Sequence, residues 1–188
     1  MPHDLPKAYD PAAIEDHWAE YWVREKLFAQ PTPDLAKERL NGQSPFTILL
    51  PPPNVTGNLH MGHMFEHTES DILTRWRRMS GSKVLWIPGT DHAGIATQML
   101  VERQVVSEGT TRQKLGRKAF IERVWEWKRH YGGAILDQMK RLGASVDWQR
   151  EYFTMDANLS VAVREAFTRL YHEGLIYKGA YIVNWCPG

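Results

Sequence analysis

The chain has 188 residues, 43% of them apolar and 24% charged, with a formal net charge of +1. That length buries a sizeable core, and the composition is that of an ordinary globular protein. No apolar run approaches the roughly 18 residues of a membrane-spanning helix, so no membrane partner is expected. Met1 to Lys7 lacks an apolar signal core, and the single cysteine, Cys186, rules out an internal disulfide framework; both fit a reducing cytoplasmic setting. The near-zero net charge hides an asymmetry. Residues 1–109 carry 10 Lys/Arg against 14 Asp/Glu, and residues 110–142 carry 9 against 3. That basic stretch is either a face for a polyanion or a solvated helix side.

Asp10-Pro11 pairs an N-cap residue with proline at the first helical position. Ile14, Trp18, Tyr21 and Trp22 then recur at helical spacing, with Phe28 beyond them. This predicts an amphipathic helix of about five turns, packed on the main body. Pro31-Thr32-Pro33 stops it, and residues 34–45 read as a polar connection. Phe46-Thr47-Ile48-Leu49-Leu50 reads as a buried strand. A Gly-bearing turn follows, and then a helix from about 59 to 79 with Met61, Phe65, Ile72, Trp76 and Met79 as its apolar stripe. Arg75, Arg77 and Arg78 crowd its last turn, where cations complement the helix dipole. Gly81-Ser82 stops it, and Lys83 to Ile87 form the next strand. A strand–helix–strand unit of this kind implies parallel strands and an α/β fold.

The second strand runs into Pro88-Gly89-Thr90-Asp91-His92-Ala93-Gly94 and a helix over about 95–106. Two strand-to-helix turns in one parallel sheet open on the same edge, so the turn at 51–63 and the turn at 89–94 should flank one crevice. Thr110 or Thr111 caps a long helix over about 112–142, with an interruption expected at Gly132-Gly133. Residues 146–153 look extended. Asn158 is the expected cap of a further helix bearing Val161, Val163, Phe167, Leu170 and Tyr171 and closed by Gly174. Tyr181 to Trp185 reads as a last strand.

The chemistry sits in the two turns. His60 and His63 lie at i and i+3 on the first turn of a helix, sharing a face beside free N–H groups and the positive dipole end. Gly62 between them admits a flat ligand close to the backbone. This suits a nucleotide whose phosphates sit at the helix start. Two other readings stand beside it: His60, His63 and His67 as a zinc-binding face with Glu66 adjacent, or ordinary helix histidines. Asp91 either binds a substrate ammonium group or caps the helix after it. His92 either meets a ligand or packs.

The stretch Pro52-Pro53-Asn54-Val55-Thr56-Gly57-Asn58-Leu59-His60-Met61-Gly62-His63 closely resembles the HIGH signature of the class I aminoacyl-tRNA synthetases, here written His-Met-Gly-His. The lead-in Pro-Pro-Pro-Asn-Val-Thr-Gly, together with Pro88-Gly89-Thr90-Asp91-His92-Ala93-Gly94-Ile95-Ala96-Thr97-Gln98, is similar to the valyl-tRNA synthetases within that class. Leu142-Gly143-Ala144-Ser145-Val146-Asp147-Trp148, Phe153-Thr154-Met155-Asp156 and Ile182-Val183-Asn184-Trp185-Cys186-Pro187 extend the resemblance from about Tyr9 to the last residue.

The resemblance implies the first half of a Rossmann-type parallel-sheet catalytic domain over residues 46–188, with residues 1–45 a helical extension and further helices added. It implies ATP with Mg²⁺ as substrate complex, valine, and tRNA(Val) as partners, and no tightly bound cofactor or metal ligand set. It implies that Thr56, Gly57, His60, Gly62 and His63 bind ATP, with His60 and His63 stabilising the phosphates in catalysis. Pro52, Asn54 and Asp91 are implied to hold the amino acid. The family's second signature, the lysine-bearing KMSKS loop, is not in the chain. Arg78-Met79-Ser80-Gly81-Ser82-Lys83 resembles it faintly but sits at a helix end and reads as a stop. The expectation is an N-terminal piece ending at the editing-domain junction. The alternative for the chain on its own is a non-catalytic ATP- or tRNA-binding module.

Overall fold

The computed structural model describes residues 7–32 and 45–186. The expected connection over 34–45 lies outside these residues apart from Pro45. The chain divides into two compact units, residues 1–153 and 154–188.

In the first unit, helix α1 (Pro11–Arg24) opens as expected, with the Asp10 carboxylate accepting from the Ala12 N–H at 3.2 Å. It spans 14 residues rather than the expected five turns and contains no fully buried residue. Trp22 and Phe28 carry its packing edge to face, with the Arg75 guanidinium over Trp22 and that of Arg78 over Phe28.

Strands β1 (Pro45–Leu49) and β2 (Lys83–Ile87) pair in parallel, from Pro45 opposite Lys83 to Leu49 opposite Ile87. Helix α2 (Met61–Met79) is the crossover between them. The short strands β3 (Gly89–Thr90) and β4 (Tyr152–Phe153) also pair in parallel. The Asp147 N–H donates to the Trp86 carbonyl at 2.8 Å, so the segment before β4 runs alongside the end of β2. The extended reading of 146–153 therefore holds at its two ends, while Trp148–Arg150 closes into a 3-10 turn capped by Asp147.

Helix α3 (Gly94–Ser107) and helix α4 (Arg112–Arg141) follow the second turn. Thr111 is the cap of α4, accepting from the Lys114 N–H at 3.2 Å. The expected break at Gly132-Gly133 is absent. The helix runs through it, and the non-helical residue is Gly116, at φ 76°. That backbone is one glycine adopts without strain. Gly132 instead lies buried under the Val55 side chain.

The main core gathers Leu50, Val55, Trp86, Ile135, Met139, Val146 and Phe153 under the sheet's carboxyl edge. A second cluster joins Val101 and Val105 of α3 to Phe120 of α4.

The apolar stripe expected for α2 does not form its buried face. Met61, Phe65, Ile72, Trp76 and Met79 are 55–89% exposed, and the buried residues are His67 and Thr74. The reason is the loop at Gly143 to Ser145, whose backbone groups need partners. Asp71 accepts from the Ser145 N–H at 3.1 Å, Arg75 donates to the Gly143 carbonyl at 2.9 Å, and Arg78 donates to the Ser145 carbonyl at 2.6 Å. Meeting those groups turns the polar side of α2 inward.

The second unit contains helix α5 (Ala157–His172). It begins two residues earlier than Asn158 predicts, with Asp156 at the N-cap position, and no residue of it is buried. Gly174, at φ 72°, closes it as expected. The strand expected at 181–185 is absent. A strand is held by a neighbour's ladder bonds, and residues 175–186 take no regular structure. Among the described residues, no helix is long and apolar enough to cross a membrane.

Candidate active site

Both turns open at the carboxyl ends of β1 and β2. There they are joined by backbone. The Asp91 N–H donates to the Pro53 carbonyl at 2.8 Å, and the Val55 N–H donates to the Asp91 carbonyl at 3.0 Å. These two bonds make a parallel bridge between Asn54 and Asp91. The two turns are therefore adjacent on one edge, as expected, but the cleft that forms there is lined by the first turn and α2 and by no residue of the second turn.

A cleft of about 440 Å³ lies against the first turn, walled by Pro52, Asn54, Thr56, Gly57, His60 and His63. Glu66 completes it one turn further along α2. Two predicted residues stand outside this lining. Gly62 sits behind the His60 ring, where an added Cβ would stand 3.0 Å from Cε1. Asp91 lies behind Asn54 across the bridge. The helix starts two residues later than expected, at Met61, because His60 is its N-cap in an extended conformation, φ −123°.

That cap settles how the histidines stand. His60 Nδ1 accepts from the Gly62 N–H at 3.1 Å, and His63 Nδ1 accepts from the His60 N–H at 3.2 Å. The ring centroids are 4.0 Å apart. The reciprocal arrangement is a capping box built from two imidazoles instead of a hydroxyl and a carboxylate. A backbone N–H can only donate, so each Nδ1 carries a lone pair and each neutral ring carries its proton on Nε2. Burial, and next the His60 ring, push the His63 pKa below its ordinary value, with Glu66 opposing. His63 thus favours its neutral form, a donor through Nε2 at the helix start.

His67 does not join them. It is 1% exposed, and both its ring nitrogens are buried without a hydrogen-bond partner among the described residues. Among the described residues, no group of three His, Cys, Asp or Glu side chains is arranged to hold a metal ion.

At the second turn, the N-cap of α3 falls on Ala93, at φ 41°, not on Asp91. The Asp91 carboxylate stands 3.2 Å from His92 Nδ1. It lies close enough to Tyr152 that burial first, and then this carboxylate, raise the phenol's pKa. Tyr152 lies over Gly89, where an added Cβ would overlap its ring. His92 packs its ring edge-on to Phe153. The result is a carboxylate whose field is felt by its neighbours, one backbone bridge away from the wall of the cleft that His60 and His63 line.

Two residues of α4 hold the first turn from below: Trp127, which the sequence marks only as part of the helix's apolar side, and Gln138, which it does not mark at all. The Trp127 indole N–H donates to the Val55 carbonyl at 2.8 Å, and Gln138 Oε1 accepts from the Leu59 N–H at 2.9 Å. They are 72 and 79 residues away along the chain, and no local pattern announces such a bond.

Residues 17–188 match the family of tRNA synthetases class I (I, L, M and V). The chain belongs to this family. Its sequence is 58% identical over 184 residues to the valine–tRNA ligase of Geobacter sulfurreducens, covering 98% of this chain and 20% of that protein. It is 56% identical, with the same coverage, to the valine–tRNA ligase of Thermus thermophilus. The chain therefore spans about a fifth of the length of the curated relatives it matches. In fold it resembles the LeuRS of Agrobacterium radiobacter K84, solved in a ternary complex with tRNA and LeuAMS. The TM-score is 0.65 at 22% identity, over 90% of this chain and 19% of that one. The paired parallel strands with crossover helix α2 are thus a Rossmann-type half-domain of the class I synthetases.

Proposed function

We propose that the chain is the N-terminal part of a valine–tRNA ligase and holds one side of the site where ATP and valine form valyl-adenylate. The observation that carries this is the Asn54–Asp91 backbone bridge, which sets the turn bearing the Asp91 carboxylate directly beside the cleft at the anion-friendly helix start. On this reading residues 46–188 are the first half of the catalytic nucleotide fold and residues 1–45 are a helical extension. MgATP enters as substrate, and its metal offsets charge on the phosphates. His60 and His63, the HIGH histidines, donate Nε2–H bonds to phosphate oxygens. Thr56 and Gly57 give the nucleotide close backbone approach, and Gly62, expected to do the same, instead leaves room for the His60 ring and donates its N–H to it. Asp91 with Asn54 holds the α-ammonium of valine, and Pro52 walls its side chain.

A carboxylate oxygen of valine attacks the α-phosphorus, and the bond from that phosphorus to the bridging oxygen of the leaving pyrophosphate breaks. Negative charge builds on the α-phosphate in the transition state, where fixed donors are worth most. Orientation of the two substrates supplies much of the rest, and no side chain becomes covalently bonded. A hydroxyl of the terminal adenosine of tRNA(Val) then attacks the acyl carbon, and AMP leaves. On this reading the ligase works in the cytoplasm.

ATP–pyrophosphate exchange by the full-length ligase carrying this segment tests the proposal, with valine, isoleucine and threonine compared. The expected result is valine-dependent exchange that exceeds exchange with the other two. No exchange with valine overturns it.

A further inference from the structure

The loop from Asn54 to Leu59 supplies part of the cleft wall, yet among the described residues few of its backbone groups are met by other backbone. The Val55 carbonyl and the Leu59 N–H are met by side chains of α4 instead. Trp127, Tyr131, Ile135 and Gln138 step by four, four and three, so they fall on one face of that helix. Between the two anchors, the Val55 side chain packs over Gly132 and joins Ile135 and Met139 in the core. The face is rigid where the loop meets it, because Ile135 and Met139 are wholly buried.

The two anchors grip different functional ends. Val55 is bonded through its N–H to Asp91 and adjoins Asn54, the amino-acid side of the crevice. Leu59 precedes His60, whose backbone and ring form the capping box, the phosphate side. We propose that Trp127 and Gln138 are positioning residues that set the amino-acid end and the phosphate end of this loop independently. The proposal rests on the reading of the cleft as the adenylation site.

The two bonds make opposite kinetic predictions. Freeing Leu59 lets the histidine cap drift while the Asn54–Asp91 bridge stays. Transition-state stabilisation is lost and ground-state valine binding is kept. Freeing Val55 loosens Asn54 and leaves the cap in place. A merely structural role for either residue lowers stability and moves both parameters together.

The test is steady-state ATP–pyrophosphate exchange by the full-length ligase carrying this segment, with thermal melts run in parallel. Gln138→Met, which removes the acceptor at similar size, is expected to lower kcat about tenfold with KM for valine unchanged, the scale of one lost hydrogen bond. Gln138→Glu keeps an acceptor oxygen and is expected to restore kcat. Trp127→Phe, which removes only the indole N–H and part of the ring, is expected to raise KM for valine several-fold with kcat near the parent value. If Gln138→Met does not fold, Gln138→Asn, too short to reach Leu59, is read in its place. Equal effects of both substitutions on both parameters, or failure of Gln138→Glu to exceed Gln138→Met, overturn the proposal. Those outcomes leave valine-dependent exchange by the parent intact. Its absence from the parent overturns the function proposed above, and this inference with it.

Discussion

His60 and His63 hold one another through backbone: His63 Nδ1 takes the His60 N–H, and His60 Nδ1 takes the Gly62 N–H. One pair of rings thus closes the helix start and fixes its own tautomers, leaving both Nε2–H groups to face outward. Structure and proposed chemistry share the same two rings, through different nitrogens. His63→Ala removes a cap and a donor together. The cap accounts for about 1 kcal/mol of stability. Loss of the donor is expected to lower the adenylation rate about 100-fold or more while KM for ATP changes little. Exchange kinetics and urea melts measured on the same variant separate the two effects.

Stability should fall on the acid side of neutrality. His63 has its pKa lowered by burial and by His60, and His67 has its pKa lowered by burial and then by His63. A histidine with a lowered folded-state pKa binds fewer protons folded than unfolded. Its neutral form contributes fully above the unfolded value of about 6.5, and that contribution is lost as pH falls from there through the folded value. Urea midpoints measured from pH 8 to pH 5 should therefore decline below about 6.5. His67→Leu replaces an unpartnered buried ring with an apolar group of similar size, so it should flatten that decline and cost little at pH 8. An undiminished slope in that variant would place the titration elsewhere.

The crevice was legible in the sequence because its determinants are local. A strand followed by Pro51 to His63, and a second strand followed by Gly89 to Gly94, place two turns on one edge once the crossover is parallel. The face of α2 was not legible. Its apolar periodicity points at Met61, Phe65 and Trp76, but the buried side is decided by three backbone groups in a loop some seventy residues away. Periodicity reports which residues can be buried together, and a distant polar demand can outweigh it. Gly132-Gly133 misled for a related reason. Two glycines resemble a break, but both take helical backbone, Gly132 with the Val55 side chain packed near it, and the true break is the positive φ at Gly116. Trp127 showed only as an apolar-face residue and Gln138 not at all, because a side chain bonding a remote backbone group leaves no pattern.

Gly89 has no room for a side chain. An added Cβ would overlap the Tyr152 ring, the partner of Gly89 in the β3–β4 ladder. Gly89→Ala must push Tyr152 away or shift the turn that carries Asp91. Overpacking of this kind costs about 1–3 kcal/mol. The expected phenotype is lower stability together with a raised KM for valine, because Asp91 is two residues away. Tyr152→Ala in the same chain should recover part of both, and a double-mutant cycle measures the coupling. Strict additivity would mean that the ring is not what Gly89 accommodates.

The inward polar face of α2 yields the sharpest stability prediction. Asp71 Oδ1 accepts from both the N–H and the hydroxyl of Ser145, and its Oδ2 takes the Arg75 Nε–H at 2.6 Å. Arg78 donates to the same hydroxyl and to the Ser145 carbonyl. The Ser145 side chain is wholly buried, and burial pushes the Arg78 pKa below its usual range, with Asp71 opposing. A pair taken partly out of water gains little on balance, but removing one member strands the other. Asp71→Ala takes the carboxylate from the half-exposed Arg75 and its field from Arg78, and strands the Ser145 N–H, so its expected cost, reduced by solvent, is about 2–3 kcal/mol. Ser145→Ala removes only a hydroxyl and leaves the ion pair, so its cost is expected to be about 1–2 kcal/mol. The double variant should cost less than the sum, because the two act on shared bonds. Equilibrium urea unfolding of the three variants measures this. A cost for Asp71→Ala no larger than that for Ser145→Ala would show that solvent, and not Asp71, balances the arginines.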